Sequence, residues 1–91
     1  MMYVIEFSDS VKETLKKWKK SDPIKTKKVN KIVHDIAEHP RTGIGHPEPL
    51  VGGNDITWSR HITGKDRIIY DIHDDKVVVD IISVEGHYND K

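Results

Sequence analysis

Pro40 divides the chain into two halves with different hydrophobic periods, and that switch restricts the folds open to it. Before Pro40 the apolar residues recur at helical spacing. Val11, Leu15 and Trp18 fall at i, i+4 and i+7, and Val29, Ile32, Val33, Ile36 and Ala37 form a second stripe. After it they alternate: Ile68, Tyr70 and Ile72 share one face of an extended segment, while Arg67, Ile69 and Asp71 share the other. Proline cannot continue a helix and disfavours helical backbone at the preceding residue, here His39.

The spacing predicts a short strand at Tyr3–Phe7, then a helix capped by Ser8 and running to about Lys20. Ser21-Asp22-Pro23 interrupts it, with Ser21 or Asp22 as the next cap and Pro23 in the first turn of a helix reaching about His39. Residues 40–55 read as loop, rich in glycine and proline. Three strands follow: Thr57–Thr63, Arg67–His73 and Lys76–Val84, the last two as a hairpin. The expected fold is a single α+β domain over residues 1–91: an N-terminal strand, two helices on one face of the sheet, then an antiparallel meander.

Composition fits a globular domain, with 35% hydrophobic and 33% charged residues. No apolar run is long enough to span a membrane, and no signal segment opens the chain. There is no cysteine, so disulfides and thiolate metal sites are excluded. The composition fits a cytoplasmic protein. The net charge of zero conceals an asymmetry. Lys12, Lys16, Lys17, Lys19, Lys20, Lys25, Lys27, Lys28 and Lys31 crowd one stretch, and Asp66, Asp71, Asp74, Asp75, Asp80, Glu85 and Asp90 crowd the last third. A basic helical face for a polyanion or an acidic partner is one reading, and a solvated helix surface is the other.

Four residues suit acid–base chemistry on a phosphate. Glu48 lies between Pro47 and Pro49, which restrict the backbone and present its carboxylate as a base. Arg67, on a strand, can grip a phosphate through two hydrogen bonds. His87 is able to act as acid near neutrality, and Tyr88 can donate to phosphate or stack on a base. Each has a plainer alternative: a surface glutamate in a turn, an ion pair with Asp66 or Asp71, a polar tail. Trp58 is expected in the core, and Arg60 either adds a second positive charge near Arg67 or is simply exposed. His34 and Glu38 lie one helical turn apart, but two ligands are too few for a metal site, and no metal or other cofactor is expected.

The order and spacing of GIGHPEPL (43–50), TWSRHITGKDRIIYDI (57–72) and the closing GHY (86–88) resemble the YoeB-like toxins of bacterial type II toxin–antitoxin modules, within the RelE-type RNase superfamily. The resemblance implies a RelE-like microbial RNase fold and a ribosome-associated, metal-independent endoribonuclease that cleaves mRNA. It implies Glu48 as general base, Arg67 as the clamp on the phosphate, His87 as general acid and Tyr88 as a substrate-site residue. Arg60 and His61 take the places of the family's paired arginines and would contact RNA. His61, and Val51 where a lysine often stands, remove fixed positive charge. The implied partners are a cognate antitoxin, mRNA and the ribosome, with a homodimer possible. The competing reading is a non-catalytic adaptor that binds RNA or protein without cutting.

Overall fold

The computed structural model describes residues 2–86. Its elements are β1 (Val4–Phe7), α1 (Asp9–Ser21), α2 (Pro23–Glu38), β2 (Glu48–Pro49), β3 (Thr57–His61), β4 (Arg67–His73) and β5 (Val78–Ser83). Both helices start where side-chain caps allow. The Ser8 hydroxyl accepts from the Val11 amide, and the Asp22 carboxylate accepts from the Lys25 amide, with Pro23 opening α2.

The strands form one sheet in the order β1-β5-β4-β3-β2. The meander β3-β4-β5 is antiparallel, as expected. The sheet as a whole is mixed, because β1 lies parallel to β5, with Val4 opposite Val78 and Phe7 opposite Ile81. The two helices form a crossover that returns the chain, so β1 joins the last strand of the meander rather than the first. A further departure is β2, two residues inside the segment expected to be loop. It pairs antiparallel with β3, Glu48 opposite Ser59 and Pro49 opposite Trp58. Proline has no N–H for a ladder, and β2 is accordingly an edge strand.

Both helices pack on one face of the sheet. Val11 and Trp18 from α1, and Val29, Ile32 and Ile36 from α2, meet Ile68, Tyr70 and Ile72 of β4 and Val79 and Ile81 of β5 in one core. Leu15, Val33 and Trp58 pack against it half-buried. Trp58 thus reaches the core only in part, and its indole N–H donates to the Asp55 carbonyl at 3.1 Å. No helix among the described residues is long and apolar enough to cross a membrane.

The charge asymmetry of the sequence is partly cancelled by folding. Lys25 bridges to Asp66 at 2.9 Å and stands 3.9 Å from the Trp18 ring. Arg41 and the Tyr3 hydroxyl hold Asp74 at 3.0 and 2.6 Å, Thr57 holds Asp71 at 2.6 Å, and His73 lies 3.1 Å from Asp80.

Candidate active site on the open face of the sheet

Side chains directly opposite one another on antiparallel strands point to the same face. On the face away from the helices this places Glu48 beside Ser59 and Ile69, and His61 beside Arg67. Ser59 and Ile69 on this face are buried, while Glu48 is exposed and Arg67 half-buried. The Nε of Arg67 is buried and has no hydrogen-bond partner among the described residues. Buried donors are normally paired, and an unpaired one marks a place where an acceptor fits.

Glu48 is well exposed, and its Oε1 lies 4.0 Å from Nε2 of His61. The His46 ring meets the His61 ring edge to face, with centroids 6.1 Å apart. His61 also walls a cleft of about 590 Å³ between this end of the sheet and α2, together with Lys28, Lys31, His46 and Thr63. His61 thus lies near Glu48, opposite Arg67 in the strand register, and at the border of the cleft.

Arg60 is elsewhere. One residue before His61, it points to the opposite face and is 0% exposed. Its guanidinium donates to the Asp35 carboxylate and to the backbone carbonyls of His39, Thr42 and Ile44, and its Nε donates to the Tyr70 hydroxyl. No face of it is left for an external phosphate. The expectation that Arg60 contacts RNA gives way to a structural role, because Trp58 and Arg60 share the face that packs on the helices. The acceptors come from the end of α2 and the loop that leads to Glu48, so Arg60 fastens the root of that loop. Two glycines make the closure possible. At Gly43 a Cβ would lie 1.9 Å from the Asp35 carboxylate oxygen, and at Gly45, with φ +79, it would meet the His61 carbonyl at 3.0 Å. The Gly45 carbonyl accepts from the His61 amide at 2.7 Å, which lays the loop against β3 just ahead of Glu48.

Burial alone would raise the Asp35 carboxyl, but hydrogen bonds from Arg60 and the Ile44 amide outweigh it and hold the group below the ordinary carboxylate value. Asp66 behaves alike: burial raises it, and the Gly86 amide and Lys25 bring it below that value. Asp35, Glu38 and His39 also gather potential ligand atoms within 4.8 Å, a grouping absent from the sequence reading. The charge of Asp35 there is already matched by Arg60.

His87 and Tyr88 lie outside the described residues. The last described residue, Gly86, has its amide bound to Asp66 Oδ1 at 3.0 Å, next in sequence to Arg67.

A helical layer on one side of a mixed sheet, with a carboxylate, an arginine and an imidazole on the other side, defines a small α+β protein of the RelE type. Solved structures agree. The YoeB/ParE toxin from Agrobacterium tumefaciens superposes with a TM-score of 0.85 at 27% identity over 93% of this chain and 99% of its own. The YoeB–YefM complex from Staphylococcus aureus gives 0.80 at 28% identity, covering 97% of this chain and 100% of that one. Toxin YoeB of Streptomyces coelicolor is 41% identical over 78% of this chain and 82% of its own length. Residues 7–88 match the model of the YoeB-like toxin of bacterial type II toxin–antitoxin systems, and the chain belongs to that family.

Proposed function

We propose that this toxin is an endoribonuclease that cleaves mRNA at the open face of the sheet, by attack of a ribose 2′-hydroxyl on the adjacent phosphorus. Glu48 takes the 2′-hydroxyl proton. Arg67 stabilises the negative charge that grows on the phosphoryl oxygens. His87 protonates the departing 5′-oxygen, and Tyr88 holds the substrate. The products are a 2′,3′-cyclic phosphate and a 5′-hydroxyl end. DNA lacks the attacking group. The chemistry needs no divalent metal, and the ribosome serves to align the message.

The observation that carries this reading is that Glu48 and Arg67 share the face of the sheet opposite the helices, with the Arg67 Nε buried and unpartnered among the described residues. The tether of Gly86 at Asp66 supports the role given to His87, since the chain enters the GHY sequence from beside the Arg67 end of β4. The relative from Staphylococcus aureus was solved with YefM. By the same logic this toxin is neutralised by an antitoxin whose acidic, flexible segment folds onto it.

The test is cleavage of a defined message on intact ribosomes, with the product ends identified chemically. Cyclic phosphate and 5′-hydroxyl ends are expected, unaffected by a chelator of free divalent ions at levels that leave ribosomes intact. Glu48→Gln should slow cleavage by about 10²–10⁴-fold without changing the fold. Ends carrying 5′-phosphate, or a Glu48→Gln protein that cuts at the normal rate, would overturn the assignment.

A further inference from the structure

Asp66, in the turn between β3 and β4, joins two segments that the proposed reaction needs. Its backbone is fixed within the turn. The Asp66 carbonyl accepts from the Ile62 and Thr63 amides at 2.9 and 3.2 Å, and its amide donates to the Thr63 hydroxyl at 3.0 Å. Its partly buried carboxylate accepts from the Gly86 amide through Oδ1 at 3.0 Å and from Lys25 of α2 through Oδ2 at 2.9 Å. Among the described residues it makes no bond to Arg67, although Arg67 is next in the chain. We propose that Asp66 is a positioning residue for cleavage: by holding Gly86 at the start of β4 it fixes the point from which the chain passes to His87, and so brings the general acid to the phosphate that Arg67 grips. The inference rests on the endoribonuclease reading above, with His87 as its acid.

Residues near a chain end are poorly ordered unless something ties them down. After β5 three successive residues are fastened. Val84 is buried in the core, Glu85 accepts from the Thr14 hydroxyl of α1 at 3.3 Å, and Gly86 is bound to Asp66. The first two join the segment to the helix side. The Gly86 bond joins it to the β3–β4 turn, one residue before His87. An acid works only within hydrogen-bond reach of the oxygen it protonates, and a misplacement of about 1 Å can cost about 10²-fold in rate. A bond from an amide to a carboxylate is stronger than one to a neutral oxygen. Lys25 satisfies the other carboxylate oxygen, so the charge of Asp66 is matched while Oδ1 serves Gly86. One turn thus sets both the head of β4, where Arg67 stands, and the root of the sequence that carries the acid.

The test uses two ribosome-bound messages, one ordinary and one with sulfur in place of the 5′-bridging oxygen at the scissile phosphate. The 2′-oxygen attacks phosphorus and the P–S bond breaks. A thiol ionises near pH ~8.5, so the sulfur leaves as the anion and needs no acid. Asp66→Ala, shown folded by circular dichroism, should cut the ordinary message about 10–10²-fold more slowly and the sulfur message at close to the unaltered rate. His87→Gln should show the same pattern, and Glu48→Gln should slow both messages. Asp66→Asn keeps an oxygen for the Gly86 amide and should lose less than Asp66→Ala. If Asp66→Ala does not fold, a synthetic chain with an ester in place of the Gly86 amide removes that N–H alone and is read on the same messages. Equal slowing on both messages, or normal cutting of the ordinary message by Asp66→Ala or by the ester chain, overturns the proposal. If His87→Gln slows both messages equally, the acid is wrongly assigned and the inference falls with it. An unaltered toxin that cuts neither message overturns the endoribonuclease reading itself.

Discussion

Arg60 and Arg67 lie on neighbouring antiparallel strands of one sheet and have opposite fates. Arg60 is buried on the helix side, where five acceptors receive its donors. Arg67 is on the open side, half-buried, with its Nε unpaired among the described residues. The difference lies in what surrounds each guanidinium. A buried charge with every donor satisfied holds structure in place, and disturbing it leaves its partners stranded. A partly buried charge with a donor to spare is poised for a ligand. On the proposed function the two faces divide the work of stability and chemistry between residues of the same type.

The strongest way to break that comparison is to remove Arg60. Arg60→Ala should cost about 3–5 kcal/mol in urea unfolding, because Asp35 and three carbonyls lose their donor together. Arg60→Lys should recover little, since one ammonium cannot reach acceptors spread across a planar fork. A small loss would show that water replaces the guanidinium there. Arg67→Ala is the mirror experiment. Thermal unfolding should change by less than about 1 kcal/mol, while cleavage on ribosomes should fall about 10²–10³-fold. A large stability loss would make Arg67 a second structural arginine and erase the contrast.

Asp66→Asn probes the boundary between the two roles, since Asp66 holds both Lys25 and the Gly86 amide. The loss should be about 1–3 kcal/mol near neutral pH. In the folded chain Asp35 and Asp66 both titrate below the ordinary carboxylate value. Their contribution is thus present above about pH 4, the unfolded value, and is lost as pH falls through the lower folded values. Stability measured down this acid range should fall less steeply in Asp66→Asn than in the unaltered chain. The smallest effect belongs to Lys25→Ala, which removes an ion pair and a cation–π contact at a partly exposed site. About 0.5–1 kcal/mol is expected in thermal unfolding, with cleavage unchanged.

The helices were legible because their signals are local: a capping serine, a capping aspartate before proline, and stripes at helical spacing. So was the alternation of β4, with Ile68, Tyr70 and Ile72 inward. The place of Arg60 was also implicit, since it lies two residues from Trp58 and two residues on a strand share a face. What the sequence withheld was the set of acceptors, carbonyls from a loop whose path depends on glycines at 43 and 45. Nor could it place Glu48 next to His61. That depends on the register of β2 against β3, set by a turn in which Asn54 and Asp55 both take positive φ. Such a register is a property of the assembled turn and not of any residue in it. The parallel pairing of β1 with β5 joins the two ends of the chain, beyond the reach of any local period.

The guanidinium of Arg60 also has a consequence in time. Opening the segment from His39 to Gly45 means drawing a charged group out of the core, so this segment has no inexpensive local excursion of its own. The amides it holds, those of His39 and of Ile44, bound to Asp35 at 2.7 and 3.2 Å, should exchange with solvent hydrogen slowly, by the larger openings of the domain. The turn from Gly52 to Asp55, on the far side of Glu48, is held at Asp55 by the partly exposed Arg41 and by the Trp58 indole rather than by a fully buried charge, and should exchange sooner. The carboxylate is thus carried between a slow root and a fast tip, and the slow root sets where it returns after each fluctuation.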